Sequence, residues 1–237
     1  MARIILIHGA WGNALNWALV APTLRAAGHQ VLALDLPGHG AGAQPSGDIG
    51  QAEYVAHVEA ALLDGPPAML VGHSMGGIVA AQVAARQSAH VTACVFVAAL
   101  LPRDGQSLLD LIRQQEVPGV QAWVRPGPVP GTTILDPGAA TALFPDATPR
   151  AAAAAMAAMS PQPNKAQTDK ARIGPGFARV PRAYVFCTED RVVSLPLQQA
   201  MVAATPCEAT FTLACGHVPQ LTQPRALAEI LLGLATA

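Results

Sequence analysis

The chain has 237 residues, 51% of them apolar, with 14 basic and 15 acidic side chains. It is long enough for one large domain or two small ones and too apolar for a disordered polymer. A net charge of −1 leaves no basic surplus to neutralise phosphates, which argues against nucleic acid as a partner.

Short apolar runs alternate with longer helical patterns along the chain. The first run, residues 4–7, follows a start too short to be a signal peptide and reads directly into a strand. A helix is predicted over 15–27, ending at Gly28, and a strand over 31–34. Then come a helix over 51–64 that ends at Gly65, a strand over 68–71, a helix over 75–86 and a strand over 91–97. The rhythm resumes with strands over 182–187 and 208–213 on either side of a helix over 196–204. A last helix follows Pro224. Nearly continuous apolar strands are those covered on both faces, as in parallel sheets. The expected architecture is therefore α/β: a doubly wound, mostly parallel six-stranded sheet between helices.

Residues 102–181 break the rhythm. They carry 12 of the 21 prolines and no strong parallel-strand run. Two short strands, over 121–124 and 132–135, and an alanine-rich helix over 151–159 are all they suggest. The reading is a cap inserted at 102–181 into a core formed by 1–101 and 182–237, since a structureless loop of that length is rare in a compact domain. Cys94, Cys187, Cys207 and Cys215 lie mainly in apolar runs and read as free thiols of a reducing, cytoplasmic compartment. No apolar stretch reaches the roughly 18 residues of a membrane span, so no membrane partner is expected. The oligomeric state is left open.

The strongest motif is Gly72-His73-Ser74-Met75-Gly76-Gly77, after the third strand and before a helix. G-x-S-x-G in that setting forces the serine into a tight turn, and the small residues two before and two after it relieve the crowding. The turn lifts the Ser74 hydroxyl above the sheet and aims the Met75 N–H at the same space. His8-Gly9-Ala10-Trp11 ends the first strand. In a doubly wound sheet the loops after strands one and three meet at the switch point, so the Ala10 N–H joins that of Met75 as an oxyanion donor.

Seven histidines compete to be the base: 8, 29, 39, 57, 73, 90 and 217. His29, His57 and His90 read as solvated, and His73 should point away from the serine. His217, after the last strand, reaches the same sheet edge as Ser74 and is the preferred base. Asp190, after the fifth strand, is the preferred carboxylate to orient it; Glu189 and Asp104 are rivals. The order Ser74, Asp190, His217 suits this architecture. Gly38-His39-Gly40-Ala41-Gly42-Ala43 fits a dinucleotide fingerprint only nominally, since it follows the second strand and Pro45 precedes any helix. Motifs for nucleotide phosphates and for structural zinc are missing from the sequence, so no metal is indicated.

With these residues in view, the chain resembles the α/β-hydrolases, in particular the compact branch of plant methylesterases, hydroxynitrile lyases and related bacterial esterases. The resemblance rests on His8-Gly9-Ala10-Trp11, Leu34 to Gly40, Gly72 to Gly77, Cys187-Thr188-Glu189-Asp190 and Gly216-His217. It implies a nucleophile at Ser74, an acid at Asp190, a base at His217, oxyanion donors at Ala10 and Met75, and no cofactor. Lyases of the branch carry a lysine after the histidine and a threonine in the first loop, where this chain has Val218 and Ala10. Cyanohydrin cleavage is therefore not expected.

The expected function is a serine carboxylic-ester hydrolase acting on a small or medium apolar ester, with no charged-substrate signal in the composition. Trp11, Trp123, Leu143, Phe144, Met156, Met159 and Val218 are the candidate substrate contacts. The alternatives are a carbon–carbon bond hydrolase, favoured by a cap arginine such as Arg125 or Arg150 in the pocket, and a non-catalytic small-molecule receptor.

Overall fold

The computed structural model describes residues 1–236. Strands β1 (Arg3–Ile7), β2 (Gln30–Leu34), β3 (Ala68–His73) and β4 (Val91–Val97) form the first half of a sheet. The chain then passes through three short strands, β5 (Val124–Pro126), β6 (Thr132–Leu135) and β7 (Gln162–Pro163), before β8 (Arg182–Cys187) and β9 (Ala209–Leu213) complete it. The six-stranded order is β2-β1-β3-β4-β8-β9, and every pair is parallel. The expected doubly wound sheet is thus present, reversing direction at β1 beside β3.

Both faces of the central strands β1 and β3 are buried, which is why they read as unbroken apolar runs, while the edge strands β2 and β9 keep exposed positions. On β1, Ile5 and Ile7 pack on one face with Leu70 and Phe96, under helices α2 (Gln51–Leu63) and α3 (Gly76–Arg86), with α1 (Ala21–Ala26) on the other side. Ile4 and Leu6 pack on the other face with Met69, Val71, Val95, Trp17 and the Leu227 and Leu231 of the C-terminal helix Pro224–Thr236. Alternation of period two therefore sends neighbouring side chains into separate cores.

The expected helix over 15–27 is two pieces. Asn13 caps a four-residue 3-10 helix, Ala14–Trp17, by accepting the Leu15 N–H, and α-helix begins only at Ala21. Pro22 has no N–H to continue a helix from residue 18, so its natural place is the first turn of a new one. The other core helices fall within a residue of their predicted limits.

Between β4 and β8 the elements are short. Gln121–Trp123 is a 3-10 turn rather than a strand, and extended chain starts at Val124. Antiparallel β5, β6 and β7 make a separate three-stranded sheet. The alanine-rich helix runs Pro149–Ala157, started by the Thr148 hydroxyl on the Ala151 N–H and by Pro149. This segment lies across the carboxyl ends of β1 and β3: Ser160 N–H donates to the Trp11 carbonyl, and Asn13 Nδ2 donates to Ala158 O at 2.6 Å.

Candidate active site

Ser74 follows β3 with φ of +52°, in the left-handed region that a side chain enters only under constraint. Its carbonyl accepts from both Gly77 N–H and Leu100 N–H at 3.0 Å, which holds the turn in place. The flanking glycines are steric necessities. A Cβ on Gly72 would lie 2.6 Å from Gly76 O, and one on Gly76 would lie 2.6 Å from Ile7 O. A Cβ on Gly9 would stand 2.7 Å from Ser74 Cβ, so the loop after β1 rests directly against the serine. Neither the Ala10 N–H nor the Met75 N–H has a hydrogen-bond partner among the described residues.

Asp190 and His217 come together from the ends of β8 and β9. His217 Nδ1–H donates to Asp190 Oδ2 at 2.7 Å, with both side chains almost completely shielded from solvent. Asp190 Oδ1 accepts from the N–H groups of Val192 and Val193 at 2.7 and 2.9 Å. Gln198, fully buried, donates to Oδ2 at 3.3 Å and ties itself to both polar groups of the Cys187 peptide backbone. The Glu189 N–H donates to the Cys215 carbonyl, linking the two loops. The rivals are elsewhere: Glu189 is exposed, and Asp104 accepts the Ile173 N–H at the surface.

His73 joins this pair to the turn at Ser74. Its ring lies 4.8 Å from that of His217, and its Nε2–H donates to the His217 carbonyl at 2.8 Å. Burial, reinforced by the neighbouring imidazole, holds His73 well below the ordinary histidine pKa, so it is a neutral donor. Its ring is turned toward the loop of His217, where that bond holds it. The Ser74 hydroxyl itself has no hydrogen-bond partner among the described residues. Sequence gives no sign of Gln198, whose partners lie across a strand-to-helix loop.

Two histidines assigned to other surroundings need correction. His29 is buried, and its Nδ1 accepts the Ala2 N–H; His90 is half-buried with an unpartnered Nδ1. Only His57 of that group is exposed. The glycine-rich segment 38–43 is a loop, with α2 starting only at Gln51.

A cavity of about 560 Å³ opens over Ser74, within the range that holds a drug-sized ligand. Ala10, Trp11, Leu100, Val192 and Val193 line it from the core. Leu108, Ile112, Arg113, Val120, Val124, Asn164 and Gln167 line it from the inserted segment. Of the candidate substrate contacts, Trp11 lines this space. Leu143, Phe144 and Val218 are buried in the core beneath, while Trp123, Met156 and Met159 pack partly buried against that core and do not line the cavity. Their apolar character is spent on holding the insertion down. Arg125 pairs with Asp136 and the Ala122 carbonyl at the surface, Arg150 is exposed, and neither lines the cavity; Arg113 does. Among the described residues, no group of three or more His, Cys, Asp and Glu side chains is placed to share a metal ion. Among the same residues, no helix is long and apolar enough to cross a membrane.

Residues 4–230 match the model of the alpha/beta hydrolase family, and the chain belongs to that family. It is 24% identical to methylesterase 9 of Arabidopsis thaliana, covering 99% of this chain and 98% of that protein. It is 36% identical over 127 residues to a carbendazim hydrolyzing esterase of a Nocardioides strain, covering 52% of each chain. The chain spans about half the length of some curated relatives it matches, this esterase among them. A pyrethroid hydrolase from Sphingobium faniae has the same fold, with a TM-score of 0.87, 23% identity and coverage of 100% of this chain and 98% of that one.

Proposed function

We propose that this protein is a serine carboxylic-ester hydrolase acting on small to medium apolar esters through an acyl-enzyme. The observation that carries the reading is the buried bond from His217 Nδ1–H to Asp190 Oδ2, beside a cavity whose floor contains a strained serine. With its proton on Nδ1, the neutral imidazole has Nε2 free to accept the Ser74 proton. Ser74 Oγ attacks the ester carbonyl, and the oxyanion forms where the Ala10 and Met75 N–H groups have no other partner. His217 then protonates the leaving alkoxide. A water activated by the same nitrogen releases the acid and restores Ser74. Relatives named as methylesterase and esterase support the reading.

Turnover of a p-nitrophenyl ester panel, with Ser74→Ala as the control, is the test. The wild type should hydrolyse short acyl esters and the variant should not; equal rates in both would remove the covalent mechanism. A fluorophosphonate should add its mass to the peptide holding Ser74 alone, and an adduct elsewhere would reassign the nucleophile.

Arg113 at the cavity rim favours a second reading, carbon–carbon bond hydrolysis of a diketone-type substrate by the same residues. Cleavage of a β-diketone with no ester turnover would select it. Tight ligand binding with neither activity would select the receptor.

A further inference from the structure

Gln162 lies in the inserted segment, 151 positions from the loop after β1, yet its side chain is fully buried against that loop. Its Oε1 accepts the Trp11 N–H at 3.1 Å, while Nε2 donates to the Pro163 carbonyl at 3.0 Å and to the Tyr54 hydroxyl at 3.2 Å. A peptide N–H only donates and a carbonyl only accepts, so the orientation of the amide is fixed by its partners. With its oxygen accepting from Gln162, Tyr54 directs its own proton to His39 Nε2 at 2.9 Å. His39 Nδ1 faces the Gly12 carbonyl at 2.9 Å and must donate to it. Burial lowers His39 to a pKa of about 4, which agrees with the single-proton ring that this pattern demands.

The hydrogen bonds therefore run one way, from Trp11 N–H through Gln162, Tyr54 and His39 to Gly12 C=O. Both ends of the chain of bonds sit on the same short loop. Between them lies Trp11, with φ of +56°, a conformation that persists only where its surroundings over-determine it. The residue preceding it is Ala10, which lines the cavity and whose N–H has no hydrogen-bond partner among the described residues.

We infer that Gln162 is a positioning residue: through the Tyr54–His39 relay it holds the strained Trp11 backbone so that the Ala10 N–H stays aimed at the oxyanion. This rests on the serine-hydrolase reading above. The inserted segment then takes part in catalysis through the backbone it fixes as well as through the walls it lends the cavity.

The experiment compares wild type, Gln162→Met and Tyr54→Phe with one p-nitrophenyl ester, recording kcat and KM separately. Binding of a trifluoromethyl ketone, whose hemiketal needs the oxyanion site, is measured alongside binding of the product acid. Met keeps the volume but offers no acceptor to Trp11 N–H; Phe removes only the hydroxyl that relays the bond. Gln162→Met should lower kcat by about 100-fold, the scale of losing one oxyanion donor, with KM within about threefold. Tyr54→Phe should lower it by about 10-fold by the same route. Ketone affinity should fall in step with kcat while product affinity holds. A folded Gln162→Met enzyme with wild-type kcat would overturn the inference. If that variant does not fold, Tyr54→Phe decides alone, and equal losses in ketone and product binding would show a merely structural role. A wild type with no ester turnover would instead overturn the serine-hydrolase reading, and this inference with it.

Discussion

The parallel core and the segment between β4 and β8 solve different problems with different materials. In the core, each residue proposed for chemistry stands within a few positions of a strand whose register with its neighbour is set by consecutive backbone pairs. Ser74 inherits its place from β3, Asp190 from β8 and His217 from β9. The inserted segment has no strand longer than four residues and is held by caps, prolines and single long-range hydrogen bonds. Groups that must meet to within a few tenths of an ångström are carried by a sheet that cannot deform without losing many bonds at once. Apart from β7, whose Gln162 grips the loop after β1, the segment supplies walls that only need to be apolar and roughly shaped, carried by elements that can drift.

The sharpest way to break this contrast is at the carboxylate. Asp190→Asn should keep its oxygen toward the Val192 and Val193 N–H groups and turn its amide toward His217. The amide cannot accept the Nδ1–H, so the ring takes the other tautomer and Nε2 no longer accepts the serine proton. The expected loss is about 10⁴-fold in kcat with folding nearly unchanged, the scale known for this change in a Ser-His-Asp triad. Thermal unfolding and ester kinetics measured on one preparation would check both halves. A variant with more than a tenth of wild-type kcat would mean that Asp190 does not orient the base.

Next in size is the turn at Ser74. Gly76→Ala places a methyl 2.6 Å from Ile7 O and 2.7 Å from His8 O, which are backbone atoms at the end of a central strand. They cannot rotate away, so the helix has to shift off the sheet at a cost of about 1–3 kcal/mol. Urea unfolding should show a lower midpoint at unchanged slope, together with slower fluorophosphonate labelling. Wild-type stability would mean that α3 is free to slide, and the rigidity ascribed to the core would fail.

This site also shows why the core was legible from sequence. Strands buried on both faces leave unbroken apolar runs, and a tight turn leaves glycines at fixed offsets, so Ser74, Asp190 and His217 could be ordered along one sheet edge. The inserted segment leaves no such trace. A two-residue strand at Gln162–Pro163 has no periodicity, and Trp11 and Gln162 are brought together by tertiary packing alone. Leu143, Phe144 and Met156 have the composition expected of a pocket, but apolar character cannot distinguish a cavity wall from the core beneath it. The region 15–27 failed for a related reason: Leu15 and Leu19 complete a helical apolar pattern yet are exposed.

Acid should weaken the molecule through the first loop. Burial, helped by its neighbour His39, lowers His8 to a pKa of about 3, and His39 itself lies at about 4. Unfolded, both would titrate near 6.5, so between about pH 6.5 and 4 the unfolded chain binds protons that the native one refuses. Stability therefore falls as pH drops through that window and is level above it. The loss is about 2 kcal/mol per histidine at pH 5. Urea midpoints at pH 7 and pH 5 would measure it, and His39→Gln should reduce the drop. An unchanged midpoint would show that the two imidazoles are reached by water.

The smallest expected effect tests the inserted segment itself. Thr148→Ala removes the hydroxyl that accepts the Ala151 N–H and so uncaps the helix Pro149–Ala157, a change worth about 1 kcal/mol. If the segment is a locally stabilised wall, amide exchange should quicken across 149–157 while α3 and the central strands keep their protection. Tm should then move by no more than about 4 °C. Fluorophosphonate labelling of Ser74 should proceed at the wild-type rate, since Ser160 and Gln162, which grip the loop after β1, lie beyond the end of that helix. Faster exchange in β3 and α3 would mean that the two regions open as one unit, and the division of labour between rigid chemistry and adjustable walls would have no energetic basis.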